Sequence, residues 1–393
     1  MPKLADIKEC SGCMACVDSC TKGALVFSVA DDGHIYPKLD QSLCVNCGLC
    51  EKSCPVISKA TYTESPIAEA YAAWSKNDEL RKNSASGGVF SAMAEYVIAK
   101  GGVVYGCTMD GRANVHHIRI EKESDIHLLQ GSKYTQSNTT GIYKQAYPDL
   151  KAGRTVLFSG TGCQIAALYS YLESKVYNGK LITVDLICGG VPSKLLIDKF
   201  LECEPMHIKK IISFRTKETG WKPTGFVYNL KVEDYEGNIY DYSDKRNLVT
   251  TGFACEMTNR FCCYQCRFAG IHRMSDYTIG DYWGVSDYKE EHFGGVSVII
   301  AHNLDAVVHL QAMGNYLAID KTDITKVLNR NYRLAKAIDR RYLLPERKYL
   351  PYFFRHLSYN NLCKVYAFDF NNHSTWILYK IYRFIISKII NIQ

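Results

Sequence analysis

The rhythm of apolar and polar positions along this 393-residue chain changes several times. Between positions 23 and 39, "GALVFSVADDGHIYPKL" sets two short apolar runs around the turn "DDG", which predicts two short strands. Further on, Val89, Phe90, Met93, Tyr96 and Val97 recur at helical spacing behind Ser84, Ser86, Gly87 and Gly88. "RTVLFSGTGCQIAALYSYL" then reads as a buried strand at 154–159, a turn containing Gly160 and Gly162, and a helix at 163–173. "KLITVDLICGGVPSKLLIDKFL" repeats that scheme, with a strand at 181–187, a turn at 188–193 and a helix to about 201. Strands alternating with helices imply an α/β core whose turns gather on one edge of the sheet. From 211 the texture becomes an alternation broken by Gly and Asp turns, which predicts antiparallel strands.

Composition narrows the class. The length asks for two or three domains, and 47% hydrophobic with 22% charged residues is the balance of a globular protein. The opening "MPKLADIKEC" has no apolar signal-peptide core, which predicts a cytoplasmic protein whose clustered thiols bind metal rather than pair as disulfides. The net charge of +7 comes from the last 54 residues, with nine Lys/Arg against two Asp/Glu from Arg340 onward. No nucleic-acid motif accompanies it, so no nucleic-acid partner is expected. The terminal "STWILYKIYRFIISKIINIQ" is apolar and basic, and its charges interrupt any spanning helix. Docking on the chain's own core or on a partner subunit is preferred there over peripheral membrane contact.

Cysteine placement changes the picture most. Eight of the seventeen cysteines lie in the first 54 residues, as two C-x2-C-x2-C-x3-C runs offset by 34 positions. In the bacterial two-cluster ferredoxin pattern the fourth cysteine of each run ligates the other cluster. On that rule Cys10, Cys13, Cys16 and Cys54 hold one [4Fe–4S] cluster, and Cys44, Cys47, Cys50 and Cys20 hold a second. A pair of zinc sites fits poorly, because zinc sites usually separate two cysteine pairs by a longer loop. Cys54 is followed by Pro55 as the pattern asks, whereas Cys20 is followed by Thr21.

Other features are less specific. The Ser/Gly turn at 84–88 offers amides to a phosphate, although an N-capped core helix explains it equally from local sequence. The "GTG" turn falls short of a dinucleotide fingerprint, with Ile165 where the last glycine would stand. Cys263 and Cys266, with Cys262 as a substitute, make a C-x2-C: a redox pair, half a zinc site, or part of a third cluster with Cys163 and Cys188. In "GDYWG", Asp281 and Trp283 suit a flavin or substrate contact, or a tight turn with Trp283 as a core plug. The adjacent His116 and His117 point to opposite faces of a surface strand or turn. Cys107, Cys203, Cys255 and Cys363 read as small core residues. The sequence holds no Ser–His–Asp arrangement and no Walker loop.

In order along the chain, "SGGVFSAM", "GTGCQIAAL", "CGGVPSKLL" and the C-x2-C before "GDYWG" resemble the beta-subunit family of coenzyme F420 hydrogenases and dehydrogenases. Two departures stand out: Gly162 occupies the place of a usual proline, and Gly189 that of a common histidine. The resemblance implies an α+β ferredoxin-like domain (1–60), then an α/β flavin-binding region with an added antiparallel part. The family halves fall at 66–150 and 151–300, followed by a basic helical region at 301–393. It implies FAD near Ser84, Ser86, Gly87, Gly88, Gly160, Gly162 and Asp281, and a third [4Fe–4S] cluster on Cys163, Cys188, Cys263 and Cys266. The function so implied is an iron–sulfur flavoprotein oxidoreductase that exchanges electrons with an unidentified two-electron acceptor. Its partners would be an electron-donor or acceptor protein, with homo-oligomerisation or membership of a redox complex. Rival readings are a non-catalytic electron-transfer subunit, or a redox-linked partner in surface polysaccharide synthesis.

Overall fold

The computed structural model describes residues 1–58, 69–203, 207–218, 220–223, 230–242, 248–254, 256, 258–335, 350–366 and 381. Cys255 and nearly all of the terminal segment from 374 lie outside these residues.

The chain opens on the cysteine repeat. β1 (Leu25–Val29) pairs antiparallel with β2 (Ile35–Leu39), and each cysteine run passes through a one-turn helix, α1 (Ala15–Asp18) or α2 (Leu49–Lys52). The backbone repeats with the sequence offset. Gly12 and Asn46 have φ of 66° and 55°, and Met14 and Gly48 have 59° and 74°. Such left-handed residues in a tight winding turn successive amides toward one concave side. At Gly12 the demand is also steric, since a Cβ would fall 2.5 Å from the Ile35 carbonyl oxygen.

The main body is a mixed α/β structure. Its strands are β3 (Glu69–Ser75), β4 (Val103–Met109), β5 (Val115–Ile120), β6 (Ser137–Asn138), β7 (Val156–Thr161) and β8 (Leu181–Leu186). After a separate antiparallel sheet of β9 (Ile208–Ser213), β10 (Lys231–Asp234) and β11 (Ile239–Asp241), the main sheet resumes. It adds β12 (Tyr277–Asp281), β13 (Ser297–Ala301) and β14 (Leu317–Thr322), in the order β14-β3-β13-β12-β8-β7-β4-β5-β6. The central β12, β8, β7 and β4 are parallel, so their carboxyl ends share one edge.

Period-two alternation decides what each face of the sheet covers. Val104, Leu157 and Val184 pack with α4 (Val89–Ala99) and Met313 on one face. Val103, Tyr105, Val156 and Phe158 face α5 (Ile142–Lys151) and α6 (Gly162–Leu172) on the other. Fully burying side chains such as Leu157 and Phe158 contributes roughly 1.5–3 kcal/mol each. A smaller core beneath β9 and β10 takes in α7 (Lys194–Leu201) and α8 (Leu248–Ala254).

Strand and helix edges differ slightly from the sequence reading. β7 ends at Thr161 rather than 159, because Thr161 and Gln164 form a capping box that starts α6 immediately. His116 and His117 do lie on a strand and face opposite ways, but His117 is buried rather than on the surface. β5 is sandwiched between β4 and β6, and the His117 ring lies 2.7 Å from Ser137 Oγ and 2.9 Å from the Ser159 carbonyl.

The cysteine repeat is built into this body. Cys13 and Ala15 join the core formed by α5 and α6. Asp18 accepts the amides of Gly141, Tyr143 and Lys144 at 2.5, 3.0 and 3.2 Å, capping α5 from outside that helix. Thr139 Oγ1 donates to the Cys13 carbonyl at 2.7 Å, and Ser193 Oγ to that of Asp32 at 2.6 Å.

Candidate redox centre

Three cavities gather cysteines. Cys10, Cys13, Cys16 and Cys54 line one, bordered also by Cys50. Cys20, Cys44, Cys47 and Cys50 line the second. Thus the last cysteine of each run stands with the first three of the other, because α1 and α2 pack side by side. Cys163, Cys188, Cys263 and Cys266 meet at the third, with Cys262 on the same wall.

Topology explains the third gathering. Cys163 follows β7 and Cys188 follows β8, two adjacent parallel strands whose carboxyl ends open on the same edge. The loop carrying Cys263 and Cys266 leads into β12 beside β8. Gly162 lets that loop close in, since a Cβ would lie 3.1 Å from the Phe268 carbonyl oxygen and 3.3 Å from Arg273 Nη1. Arg273 in turn ion-pairs with buried Asp185 at 3.1 Å.

The thiols suit a bound electrophile. Burial pushes Cys163 up to about 12 and Cys188 up to about 11, and it raises Cys10, Cys13, Cys16 and Cys266 as well. Iron that binds there must therefore displace thiol protons. Donors already point at sulfur: Gly12 N lies 3.4 Å from Cys10 Sγ, and Gly190 N lies 3.3 Å from Cys188 Sγ. Thr161 Oγ1 is 3.1 Å from Cys163 Sγ. Ser11 borders both the first and third cavities with a buried hydroxyl that has no partner among the described residues. Among the described residues no group of three or more His, Cys, Asp or Glu closes around a single metal ion.

A larger cavity of about 460 Å³ adjoins the third cysteine set and shares Thr161, Cys188, Gly190 and Val191 with it. Its volume is that of a small-molecule or cofactor site. Asp281 anchors one wall. It pairs with Arg215 through two bonds of 2.7 and 2.8 Å and accepts Trp221 Nε1 at 2.7 Å. Arg215 lies over Trp283, which stacks on Trp221 with centroids 5.6 Å apart. Trp283 is half-buried, lining this wall with one side and packing against the core around Tyr282 and Val298 with the other.

Ser84, Ser86 and Gly88 line this cavity, whereas Gly87 and Gly160 do not. Gly87 serves packing, since a Cβ there would meet the Ala73 carbonyl oxygen at 2.7 Å. The serine hydroxyls are also committed, Ser84 to the Leu80 carbonyl and Ser86 to that of Val296. What the turn offers outward is the head of α4, ahead of its first helical bond from Ala92 N to the Gly88 carbonyl. Lys217 holds the turn from behind, donating to the carbonyls of Arg81, Ser86 and Gly294 at 2.5, 2.5 and 2.7 Å. Burial, then the nearby Arg81 and Arg215, press its pKa down to about 7. Three carbonyl acceptors nevertheless require all three ammonium protons.

Sequence reading missed several of these groups. Arg215, Lys217 and Lys133 carry no motif, and they reach the site only through folding. The walls include Lys133, Arg215, Arg330 and Arg333 against the carboxylates Asp281 and Glu256, an excess of positive charge. Thr135 adds a buried hydroxyl without a partner among the described residues. A cofactor bearing phosphate, aromatic rings and polar edges fits this combination.

Cysteine cavities beside a cationic cleft at the carboxyl edge of a parallel sheet define an iron–sulfur redox protein. Comparison with known proteins makes the class specific. A model of the coenzyme F420 hydrogenase/dehydrogenase beta subunit N-terminus matches residues 70–144, and its C-terminal counterpart matches 153–326. A 4Fe–4S dicluster domain matches 9–57. The chain belongs to the coenzyme F420 hydrogenase/dehydrogenase beta-subunit family, with a 4Fe–4S dicluster domain at its front.

The ferredoxin-type protein NapF of Escherichia coli K12 is 43% identical over 44 residues, 11% of this chain and 27% of that protein. The chain thus spans about a quarter of the length of that relative. An uncharacterized ferredoxin of Methanocaldococcus jannaschii is 36% identical over 52 residues, 13% of this chain and 66% of the ferredoxin. A chain of the F420-reducing [NiFe] hydrogenase complex from Methanosarcina barkeri aligns over 68% of this chain and 92% of its own length. The identity there is 16% and the TM-score 0.45. No helix among the described residues is long and apolar enough to cross a membrane.

Proposed function

We propose that the chain is an iron–sulfur flavoprotein oxidoreductase. Two [4Fe–4S] clusters would be held by Cys10, Cys13, Cys16 and Cys54 and by Cys20, Cys44, Cys47 and Cys50. A third would be held by Cys163, Cys188, Cys263 and Cys266, with FAD in the 460 Å³ cavity. The observation that carries this reading is the shared wall: Cys188, Gly190 and Val191 belong at once to the cysteine cavity and to the larger one.

When bound, clusters supply single electrons and a flavin supplies electron pairs or hydride. The chain's own residues hold and shape. The head of α4 and Lys133 offer donors and charge for phosphate. Arg215, fixed by Asp281, keeps the aromatic wall rigid. The loop at 188–191 separates the two pockets by a few residues of backbone.

The family model names coenzyme F420, so a deazaflavin is the first two-electron acceptor to try. The reconstituted, dithionite-reduced protein is mixed with F420 and with one-electron dyes. Oxidation by F420 or another hydride acceptor supports an enzyme. Oxidation by one-electron acceptors alone makes the chain an electron-transfer subunit of a larger complex.

A further inference from the structure

Among the described residues, buried guanidinium groups have carboxylate partners, with one exception. Arg81 pairs with Glu291, Arg215 with Asp281 and Arg273 with Asp185. Arg260 is wholly buried, and among the described residues no carboxylate lies within ion-pair distance of it. Its donors meet only neutral acceptors: the Cys10 carbonyl at 3.2 Å, the Ile35 carbonyl at 2.9 Å, and Gln136 Oε1. Its Nε has no partner. The Tyr36 ring that it lies over, 4.3 Å from the centroid, is also uncharged.

A full positive charge buried without an anion is costly, so folds normally pair it. The position of Arg260 supplies what would balance it. Its side chain bonds the backbone of Cys10, which lines the first cysteine cavity, and itself lines the third. Ser11 borders both cavities at the same place. A [4Fe–4S] cluster on four thiolates is anionic and gains one more negative charge on reduction. Arg260 therefore stands between two sites built to hold anions whose charge changes.

We propose that Arg260 is an electrostatic positioning residue that raises the reduction potentials of the two clusters flanking it. The inference rests on the cluster assignments above. A fixed cation in a low-dielectric interior favours the reduced form of any cluster beside it, and burial keeps solvent and salt from screening the effect. Because one charge faces both sites, an electron is stabilised on either side of it. The cavity of Cys20, Cys44, Cys47 and Cys50 holds neither Arg260 nor any residue that Arg260 bonds.

The test is an EPR-monitored redox titration of the full reconstituted chain, with signals assigned through Cys47→Ser and Cys266→Ser variants. Arg260→Gln removes the charge. It should lower the reduction equilibrium of the two flanking clusters about tenfold or more, 59 mV per tenfold for a one-electron couple, and move the other by less than about threefold. Gln136→Glu neutralises the charge in place while keeping the acceptor oxygen, and should shift the same two clusters the same way. Arg260→Lys keeps the charge and should stay within about threefold of wild type. Should Arg260→Gln fail to fold, the other two variants decide. Potentials unmoved in Gln136→Glu, or all three clusters shifting alike, would overturn the proposal. A wild-type protein with only about eight irons would instead remove the third cluster, and the claim would then be decided at the Cys10 cluster alone.

Discussion

Asp281 and Arg215 form a two-bond ion pair, with Oδ2–Nη1 at 2.7 Å and Oδ1–Nη2 at 2.8 Å, at the wall of the 460 Å³ cleft beside the third cysteine set. Burial alone would lower the Arg215 pKa, but the Asp281 carboxylate raises it, so the guanidinium stays charged. Asp281→Asn leaves a buried guanidinium without its anion and should cost about 3–5 kcal/mol in urea unfolding. Flavin content should drop while iron in the N-terminal domain is retained. A loss below about 1 kcal/mol with unchanged flavin would mean that the pair neither braces the wall nor shapes the cofactor pocket.

Cysteines 263 and 266 sit beside Cys163 and Cys188 but far along the chain from the N-terminal repeat. Replacing both by serine should remove about four of about twelve irons and leave about eight. Iron analysis of the anaerobically reconstituted variant reads this directly. Loss of every cluster would show that the repeat depends on the third site for folding.

Asp18 joins the cysteine repeat to the body by capping α5 through three amides. Burial raises its carboxyl pKa, and the amides of Gly141, Lys144 and Tyr143 oppose that rise. Asp18→Ala strips the cap from a helix that has no side-chain cap of its own. Chemical denaturation should show a loss of about 0.5–2 kcal/mol. Limited proteolysis of the full chain should proceed faster than in wild type. Unchanged stability would make the cap incidental.

How far the chain could be read in advance follows from the range over which each feature is determined. The cysteine runs, the β1–β2 hairpin and the β7–α6 and β8–α7 units depend on neighbours a few residues away, and their spacing is visible in the letters. The meeting of Cys163, Cys188, Cys263 and Cys266 depends on strand order, which spacing does not encode; the residues left it one option among three, and the family resemblance singled it out. Arg260 sits in plain view within "NRFCCYQC", yet its isolation from carboxylates exists only after folding. The same holds for His117, which looks like an exposed strand residue until β6 covers it. Gly87 and Gly160 were readable as phosphate contacts because glycine in a turn has several uses. Here Gly87 meets a crowded backbone, and Gly160 packs near Gln164.

Burial holds His117 neutral, with its pKa pressed down to about 4. In the unfolded chain the ring takes a proton near pH 6.5. Between those values the unfolded state binds the extra proton, so stability falls as pH drops below about 6.5 and is restored above it. Lowering pH from 7.5 to 5.5 should cost about 1 kcal/mol through this group. Denaturant midpoints of wild type and His117→Phe, compared at the two pH values, give the difference. An equal pH dependence in both proteins would assign the slope to other groups, His302 among them.

Anaerobic iron and flavin stoichiometry on the full chain bears most directly on the redox centre. Three clusters and one FAD require about twelve irons and one extractable flavin per chain. About eight irons without flavin would leave a two-cluster electron carrier and contradict the assignment of both the third cysteine cavity and the cleft beside it.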